Sequence, residues 1–236
     1  MPLGKALLRT EIRIVARAGA RPRTAATGAL AVRSTGPDTV HLIGAAATPL
    51  GGDELDIRIV VEPGARLVVR SVAATIVLPG RTTSTSTASW TFDVGAGGVL
   101  DFDPEPTVVA GGAEHRAVTT VRLAADARIR IRERVQIGRT GEDHGRWCGD
   151  LVADTPALPL LRHRLELGAG TAADDLLSAP RALSSELRYP DDSPASTIGV
   201  AAAVLPLAAG GSLSTWTGVR LSDTPANLRR RAAAAG

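Results

Sequence analysis

Short runs in which every second residue is β-branched or leucine recur along the chain, and they constrain its fold more than any other feature. Side chains of a β-strand point alternately to opposite faces, so a period of two predicts strands with one buried face. Charged residues, mostly arginine, fill the other positions of most runs. The runs are EIRIVA (11–16), LDIRIVV (55–61), RLVVRS (66–71), EHRAVTTVRL (114–123), RIRIRERVQI (128–137) and RHRLEL (162–167).

Helical patterns are scarce and short. Thr224 and Pro225 form a cap and first-turn signal ahead of ANLRRRAAAA, which predicts a helix at the C-terminus. A second short helix is predicted within TAADDLLSA (171–179). The sequence therefore predicts an all-β fold with one or two short helices toward its C-terminal end.

A seven-residue pattern joins several runs: an apolar residue, two spacers, Gly or Asp, Ala or Gly, any residue and another apolar residue. Gly and Asp tolerate the left-handed backbone of tight turns, so each copy predicts a hairpin tip. The first three copies lie roughly 30 residues apart, which is typical of a repeated unit in a stacked architecture. No Pro/Ser-rich linker divides the chain, so we predict one domain over residues 1–236, built from stacked or coiled sheets. The copies are Val61–Leu67, Val94–Leu100, Leu123–Ile129 and Leu207–Leu213.

Composition restricts the classes of function. Of the 236 residues 44% are hydrophobic and 22% charged, which is typical of a soluble globular protein. A formal charge of +3 is small for this length and the sequence has no aromatic-and-basic patch, so we expect no nucleic-acid partner. Cys148 is the single cysteine, which favours a reducing cytoplasm. Neither the N-terminus nor the uncharged run Ser193–Val219 is apolar enough for a signal peptide or membrane helix, so no membrane association is expected.

Motifs of common catalytic classes are missing. A P-loop needs Gly-x4-Gly-Lys-Ser/Thr to hold phosphates, and the single lysine, Lys5, stands in PLGKAL without that frame. No Gly-x-Ser-x-Gly elbow occurs, and the four histidines, His41, His115, His144 and His163, are scattered among predicted strands. Nucleotide hydrolysis and Ser–His–Asp chemistry are therefore not indicated.

The stretch IRERVQIGRTGEDHGRW (131–147) concentrates polar side chains around two glycines. Glu142, Asp143, His144 and Cys148 include donors that nickel or zinc accepts, but their spacing matches no closed structural zinc pattern. The alternative is a polar hairpin tip whose charges face water.

The stretch DFDPEP (101–106) also offers two interpretations. Asp101, Asp103 and Glu105 alternate onto one side of an extended segment, where they would line a path for cations. The alternative is a solvated strand edge stiffened by Pro104 and Pro106.

The order of several segments resembles the urease accessory protein family UreD/UreH. The similarity covers about residues 20–232, and its strongest parts are the Gly-Arg-x-Gly-Glu turn at 138–142 and the DPEP segment before it. Neither part is specific alone, whereas the ordered set is. The segments are GGD (51–53), VEPGARLVVRSVAAT (61–75), TFDVGAGGVLDFDPEPTVV (91–109), ARIRIRERVQIGRTGE (127–142) and GVRLSDTPANLRRR (218–231).

The resemblance implies a β-rich helicoidal fold and a scaffold that is not itself an enzyme. Members of the family bind apo-urease together with a helical partner, UreF, and a GTPase, UreG, and they help to load nickel into urease. GTP hydrolysis would then belong to the partner, which fits the missing P-loop. The resemblance also implies an internal polar passage whose carboxylates offer nickel weak, exchangeable oxygen sites, with no tightly bound cofactor.

Four carboxylates are our candidates for contacts with nickel in transit: Asp103, Glu105, Glu133 and Glu142. Glu142 ends a turn in which Gly138 and Gly141 permit a sharp bend, and we expect it to face the interior or the passage. Arg139 is expected to be structural, pairing with a carboxylate across that turn.

Two other classes of function stay open from the residues alone. One is a stand-alone β-solenoid or β-sandwich hydrolase that uses paired carboxylates, although an aromatic content of 3% leaves few platforms for sugars. The other is a homo-oligomeric structural β protein. The runs 199–211 and 228–236 are weakly apolar and are predicted to dock a maturation partner; alternatively, 199–211 is a core strand.

Overall fold

The structure, a computed structural model, describes residues 8–225. The strands are β1 (Arg9–Arg17), β2 (Ala20–Thr27), β3 (Leu30–Ser34), β4 (Thr39–Gly44), β5 (Glu54–Val61), β6 (Arg66–Ser71), β7 (Thr75–Val77), β8 (Thr85–Val94), β9 (Val99–Phe102), β10 (Thr107–Val109), β11 (Glu114–Leu123), β12 (Arg128–Ile137), β13 (Arg146–Asp154), β14 (Pro159–Leu167), β15 (Ala182–Tyr189), β16 (Ser196–Ile198), β17 (Ala202–Pro206) and β18 (Ser212–Gly218). The helical elements are α1 (Ala172–Leu176) and a 3₁₀ turn (Leu221–Asp223).

These elements confirm the predicted all-β class. All six alternating runs are strands (β1, β5, β6, β11, β12 and β14), and the short helix predicted within 171–179 is α1. The helix predicted at the C-terminus lies outside the described residues, apart from Thr224 and Pro225. Within residues 8–225 no helix is long and apolar enough to cross a membrane.

The strands form two sheets. Sheet A has the order β14-β13-β11-β8-β5-β1-β2, and sheet B has the order β16-β17-β18-β15-β12-β9-β6-β4-β3, with β10 paired to both β12 and β7. In the middle of the chain, β5, β8, β11 and β13 lie parallel and adjacent in sheet A, while β6, β9 and β12 do the same in sheet B. The chain therefore coils, and each turn of the coil adds one strand to each sheet.

The strand registers explain the spacing of the seven-residue pattern. β5 pairs with β8 at an offset of 33 residues, Glu54 opposite Thr87, and β8 pairs with β11 at an offset of 29, Thr85 opposite Glu114. The first three copies of the pattern start at positions 61, 94 and 123, which are separated by the same two intervals. The repeat in sequence is thus the length of one turn of the coil.

The first three copies are not the hairpin tips that the sequence predicted. Each carries the chain from sheet A to sheet B, so the flanking strands do not pair with each other. A β-turn closes each corner, with the fifth amide donating to the second carbonyl at 3.0, 2.9 and 3.1 Å. Gly64 and Gly97 have the expected left-handed φ of 68° and 62°, whereas Asp126 does not. The hairpin prediction fails because alternation does not reveal which sheet the next strand joins. It holds for the fourth copy, between antiparallel β17 and β18.

The core lies between the sheets, where the inward residues of the alternating runs meet. Ile57, Ile59 and Phe92 of sheet A are fully buried. Phe92 packs against Phe102 of β9 with ring centroids 4.9 Å apart, and Trp90 contacts the same ring at 5.2 Å. Burial of one such side chain stabilises the fold by about 1.5–3 kcal/mol. A register slip of one residue would move the inward set to the surface, so these side chains fix the register.

Candidate functional site: an internal cavity between the sheets

A cavity of about 430 Å³ lies between the two sheets beside the aromatic cluster. Small side chains create it, because Ala88 of β8 lies opposite Ala117 of β11, which in turn lies opposite Gly149 of β13. This row of small residues on the inner face of sheet A leaves space that larger apolar side chains would fill. The ring of Trp147 lies over Gly149 and forms part of the cavity wall.

Interruptions in sheet B connect the cavity to the surface. β9 stops before DPEP and β10 begins after it, because Pro104 and Pro106 have no amide hydrogen to give to the ladder. The neighbouring coil is interrupted between β6 and β7 at residues 72–74. Exposed residues of both interruptions, Val72 and Glu105 among them, line the cavity. We call this region, residues 71–76 together with Pro104, Glu105 and Thr107, the mouth.

Glu133 of β12 places a carboxylate inside the cavity. It occupies an inward position of the strand, between Ile131 and Val135, whose side chains are buried in the core. Among the described residues no hydrogen-bond donor or cation bonds to this carboxylate, and the accessible part of its side chain faces the cavity. Burial raises the pKa of Glu133 to about 7, since removing a carboxylate from water disfavours its charged form. The cavity therefore holds one acid that exchanges a proton near neutral pH.

His115 of β11 also lines the cavity, from the opposite sheet. Its Nδ1 atom lies 2.9 Å from the hydroxyl of Ser86, and burial lowers its pKa to about 4, so the ring is neutral at physiological pH. A neutral imidazole is a possible metal ligand. In the sequence, His115 is one of four histidines scattered among predicted strands. Its inward position in EHRAVTTVRL, two residues before Ala117, was the signal that could have singled it out.

The polar cluster at 142–148 does not form a metal centre. His144 contacts Asp143 at 3.3 Å, whereas the Cys148 thiol points to Glu166, 3.8 Å away. Over residues 8–225 no three His, Cys, Asp or Glu side chains converge as a tight metal site requires. Of its two interpretations, the structure therefore favours the polar turn.

Asp103 lies outside the cavity, in a network of ion pairs on the outer face of sheet B. Arg130, itself buried, donates to Asp101, Asp103 and Glu186, each at 3.1 Å. Arg134 donates to the second oxygen of Asp103 at 2.9 Å. Both carboxylate oxygens of Asp103 are therefore held by arginines. Removing any one partner from this network would destabilise the fold, because it would leave an uncompensated buried charge.

Glu142 fixes the turn at 138–142 and does not line the cavity. Arg139 donates to it through Nε at 3.0 Å, as the sequence predicted, and the amide of Gly111 donates to it at 2.8 Å. The Arg139 side chain, together with the backbone amides of Gly111 and Arg139, lowers the pKa of Glu142 to about 2. Gly138 and Gly141 have φ of 79° and 83°, and a Cβ atom on Gly138 would lie 2.1 Å from the Glu142 carbonyl oxygen. Glu142 thus clamps two turns together, which differs from the interior position expected for it.

The four predicted nickel contacts therefore separate into two pairs. Glu105 and Glu133 meet the same cavity, one at the mouth and one inside. Asp103 and Glu142 are engaged by arginines elsewhere.

The coil of parallel strands around a cavity that contains a carboxyl group defines a β-helicoidal protein with an accessible interior. Comparison with known sequences identifies its family. A profile of the family described as UreD urease accessory protein matches residues 9–187. The chain belongs to this family.

Individual relatives agree with the family assignment. A urease accessory protein UreD of Frankia alni is 41% identical over 253 residues, covering 95% of this chain and 84% of the relative. One from Frankia casuarinae is 40% identical over 261 residues, covering 95% and 81%. Urease accessory protein UreD 1 of Saccharopolyspora erythraea is 41% identical over 183 residues, covering 76% and 72%.

Proposed function

We propose that this chain is a maturation factor that binds apo-urease and assists the insertion of nickel into it. Membership of the UreD family and the names of its relatives support a role in the urease system. The partners proposed from the resemblance are a UreF-like helical protein and a UreG-like GTPase. The chain itself is proposed to be non-catalytic, because its sequence has no P-loop and GTP hydrolysis would take place in the partner. The free thiol of Cys148 supports a cytoplasmic location.

The observation that carries the nickel part of the proposal is the carboxylate of Glu133, which has no bonding partner within residues 8–225 and lies in a cavity that opens at Glu105. Nickel is cargo here, so its contacts must be weak enough to release it. Oxygen donors suit a hard, exchangeable contact, whereas sets of nitrogen and sulfur donors hold nickel tightly. One carboxylate inside and one at the mouth, without a third converging ligand among the described residues, fit transfer better than storage.

The ionisation of Glu133 fits the same role. A carboxyl group with a pKa of about 7 is present in both protonation states near neutral pH. Arrival of a divalent cation displaces the proton, because the ion favours the carboxylate form. Departure of the cation lets the proton return, so the empty cavity does not keep a full buried charge.

Urease matured in a host that expresses the urease structural and accessory genes provides the test. Glu133→Gln keeps the shape of the side chain but removes its charge, and we expect less nickel per urease active site with assembly of the complex retained. Glu54→Gln, at an exposed position of β5 on the outer face of sheet A, is the matched control and should leave nickel content unchanged.

Two results would distinguish failure of the proposed maturation role from failure of the proposed nickel passage alone. Full urease activation after deletion of the gene for this chain would refute the maturation role. Normal nickel content with Glu133→Gln, while the deletion strain stays inactive, would refute the passage through this cavity but leave the maturation role intact.

A further inference from the structure

The end of sheet B formed by β16, β17 and β18 differs from the rest of the molecule because it carries no charge. The run Ser193–Val219, from which these strands are built, contains no Asp, Glu, Lys, Arg or His. All three residues of the outermost strand, β16, are exposed, and among the described residues β16 pairs with β17 alone. Its other side therefore presents backbone N–H and C=O groups that can accept a further strand.

The edges formed by β2, β14 and β3 carry residues that discourage such pairing. β2 has a proline between two exposed arginines at 21–23, and β14 begins with Pro159 and carries Arg162 and Arg164. β3 has an arginine at position 33. Charges and prolines of this kind keep an edge strand from adding to another chain. The edge of β16 has no such protection.

Aliphatic side chains surround this edge on both faces of the sheet. Ile198, Val200 and Leu205 are 52%, 80% and 45% exposed. Leu205 lies opposite the core residue Leu213 and so shares the inner face of sheet B, whereas Ile198 lies opposite Ala202 on the outer face. A partner resting on one face would leave half of this surface exposed. An added strand alternates its side chains between the faces and contacts both.

A second copy of the chain fits this edge poorly. β16 has three residues, which span about 10 Å at ~3.3 Å per residue. Two copies paired through β16 would join over three residues only, which is a small contact beside the roughly 1,200 Å² that a stable interface buries. A longer segment from a different protein, in contrast, extends past β16 over the turn that carries Val200.

We propose that the free edge of β16 is a docking site for another protein, which adds an extended, uncharged, aliphatic segment to sheet B as its next strand. The segment is expected to be uncharged because Ile198 and Val200 are apolar. A charged residue placed over either of them would lose hydration without gaining a partner. Of the run 199–211 predicted to dock a partner, only the exposed residues belong to this surface, because Ala202 and Val204 are buried. The surface also includes β16, which precedes the run. This inference rests on the proposed function in that the partner is sought among urease and its maturation proteins.

The test uses the full chain with purified apo-urease, the purified helical accessory protein and the purified GTPase, each mixed separately. Thr197→Lys puts a charge on the free edge of sheet B. Thr24→Lys puts the same charge on an exposed position of β2, an edge that already carries arginines, and is the matched control. Hydrogen–deuterium exchange over residues 193–206 and binding affinity are measured for each mixture, with circular dichroism to confirm that both variants fold.

At least one partner should slow exchange at residues 196–198 of the wild-type chain. Thr197→Lys should weaken that complex by about tenfold or more, and Thr24→Lys should not. The inference is overturned if a partner binds while exchange at 196–198 stays fast, or if the two variants bind alike; the proposed function survives both results. It is also overturned if sedimentation shows a homodimer of the free chain that Thr197→Lys dissociates. If none of the three proteins binds the chain, the proposed function fails together with it.

Discussion

Replacing Glu133 by glutamine gives a quantitative test of its place in the cavity. The amide has nearly the same shape but cannot ionise. Burial raises the pKa of Glu133 from its ordinary value of 4.5 to about 7. The folded chain therefore binds the proton more tightly than the unfolded chain, and the carboxyl group destabilises the fold progressively as the pH rises from 4.5 to 7. The difference of about 2.5 between the two pKa values corresponds to about 3 kcal/mol, at 1.36 kcal/mol for each pKa unit.

The Glu133→Gln variant should therefore be more stable than the wild type by about 3 kcal/mol at pH 8 and by about 1 kcal/mol at pH 5. Burial of the neutral amide changes both values equally, so it cancels in the comparison between the two pH values. Urea unfolding followed by tryptophan fluorescence at each pH measures the difference. In thermal unfolding, 3 kcal/mol corresponds to a rise in Tm of about 6–12 °C for a chain of this length.

The same stability change at both pH values would refute this account, because it would mean that the carboxylate is hydrated or paired in the folded chain. Glu54→Gln, on the exposed face of sheet A, is the control for loss of a carboxylate outside the cavity. A variant that gains less stability relative to the wild type at pH 8 than at pH 5 would equally contradict the cost of ionisation in the cavity.

Three further perturbations follow from the contacts. Arg130→Ala should lower the free energy of unfolding by about 3–5 kcal/mol in urea titrations at pH 7, because it strands buried carboxylates. Glu142→Gln should lower Tm at pH 7, and the loss should shrink as the pH falls from 4.5 toward 2, where Glu142 itself becomes protonated. Ala117→Leu should fill the cavity and reduce quenching of Trp90 and Trp147 fluorescence by Ni²⁺, measured by titration of the folded variant.

Local alternation was enough to predict six of the strands, but not which strands they pair with. In EIRIVA and LDIRIVV the side chains that face the core occur at every second position. This alternation is visible from neighbouring residues alone. Whether the corner at Val61–Leu67 returns the chain to the same sheet depends on contacts 29 or 33 residues away. The residues of the seven-residue pattern do not indicate those contacts. For this reason the pattern predicts hairpins where the structure has corners between the sheets.

The outer face of β12 shows a second limit of sequence reasoning. Arginine at alternate positions normally indicates a solvated face, yet Arg130 and Arg132 are buried. Their burial requires carboxylates from β9 and β15, which are distant in sequence, and so it was not visible in RIRIRERVQI alone. The sequence also does not show which carboxylates pair with arginines. Asp103 and Glu142 were therefore candidate ligands together with Glu133, although in the structure arginines bind both Asp103 and Glu142.

Three departures from the rules of a packed sheet meet at one place, and this convergence argues for a functional interior. On the inward face of β12 the apolar series is broken by Glu133, where a leucine would pack without an ionisation cost of about 3 kcal/mol. Facing it, Ala88 and Ala117 leave a void where larger side chains would add stability. Beside it, the prolines of DPEP break the ladder and open a mouth. Each feature alone lowers stability. Together they make a carboxylate in the interior reachable from the surface, which is what the transfer of a cation requires.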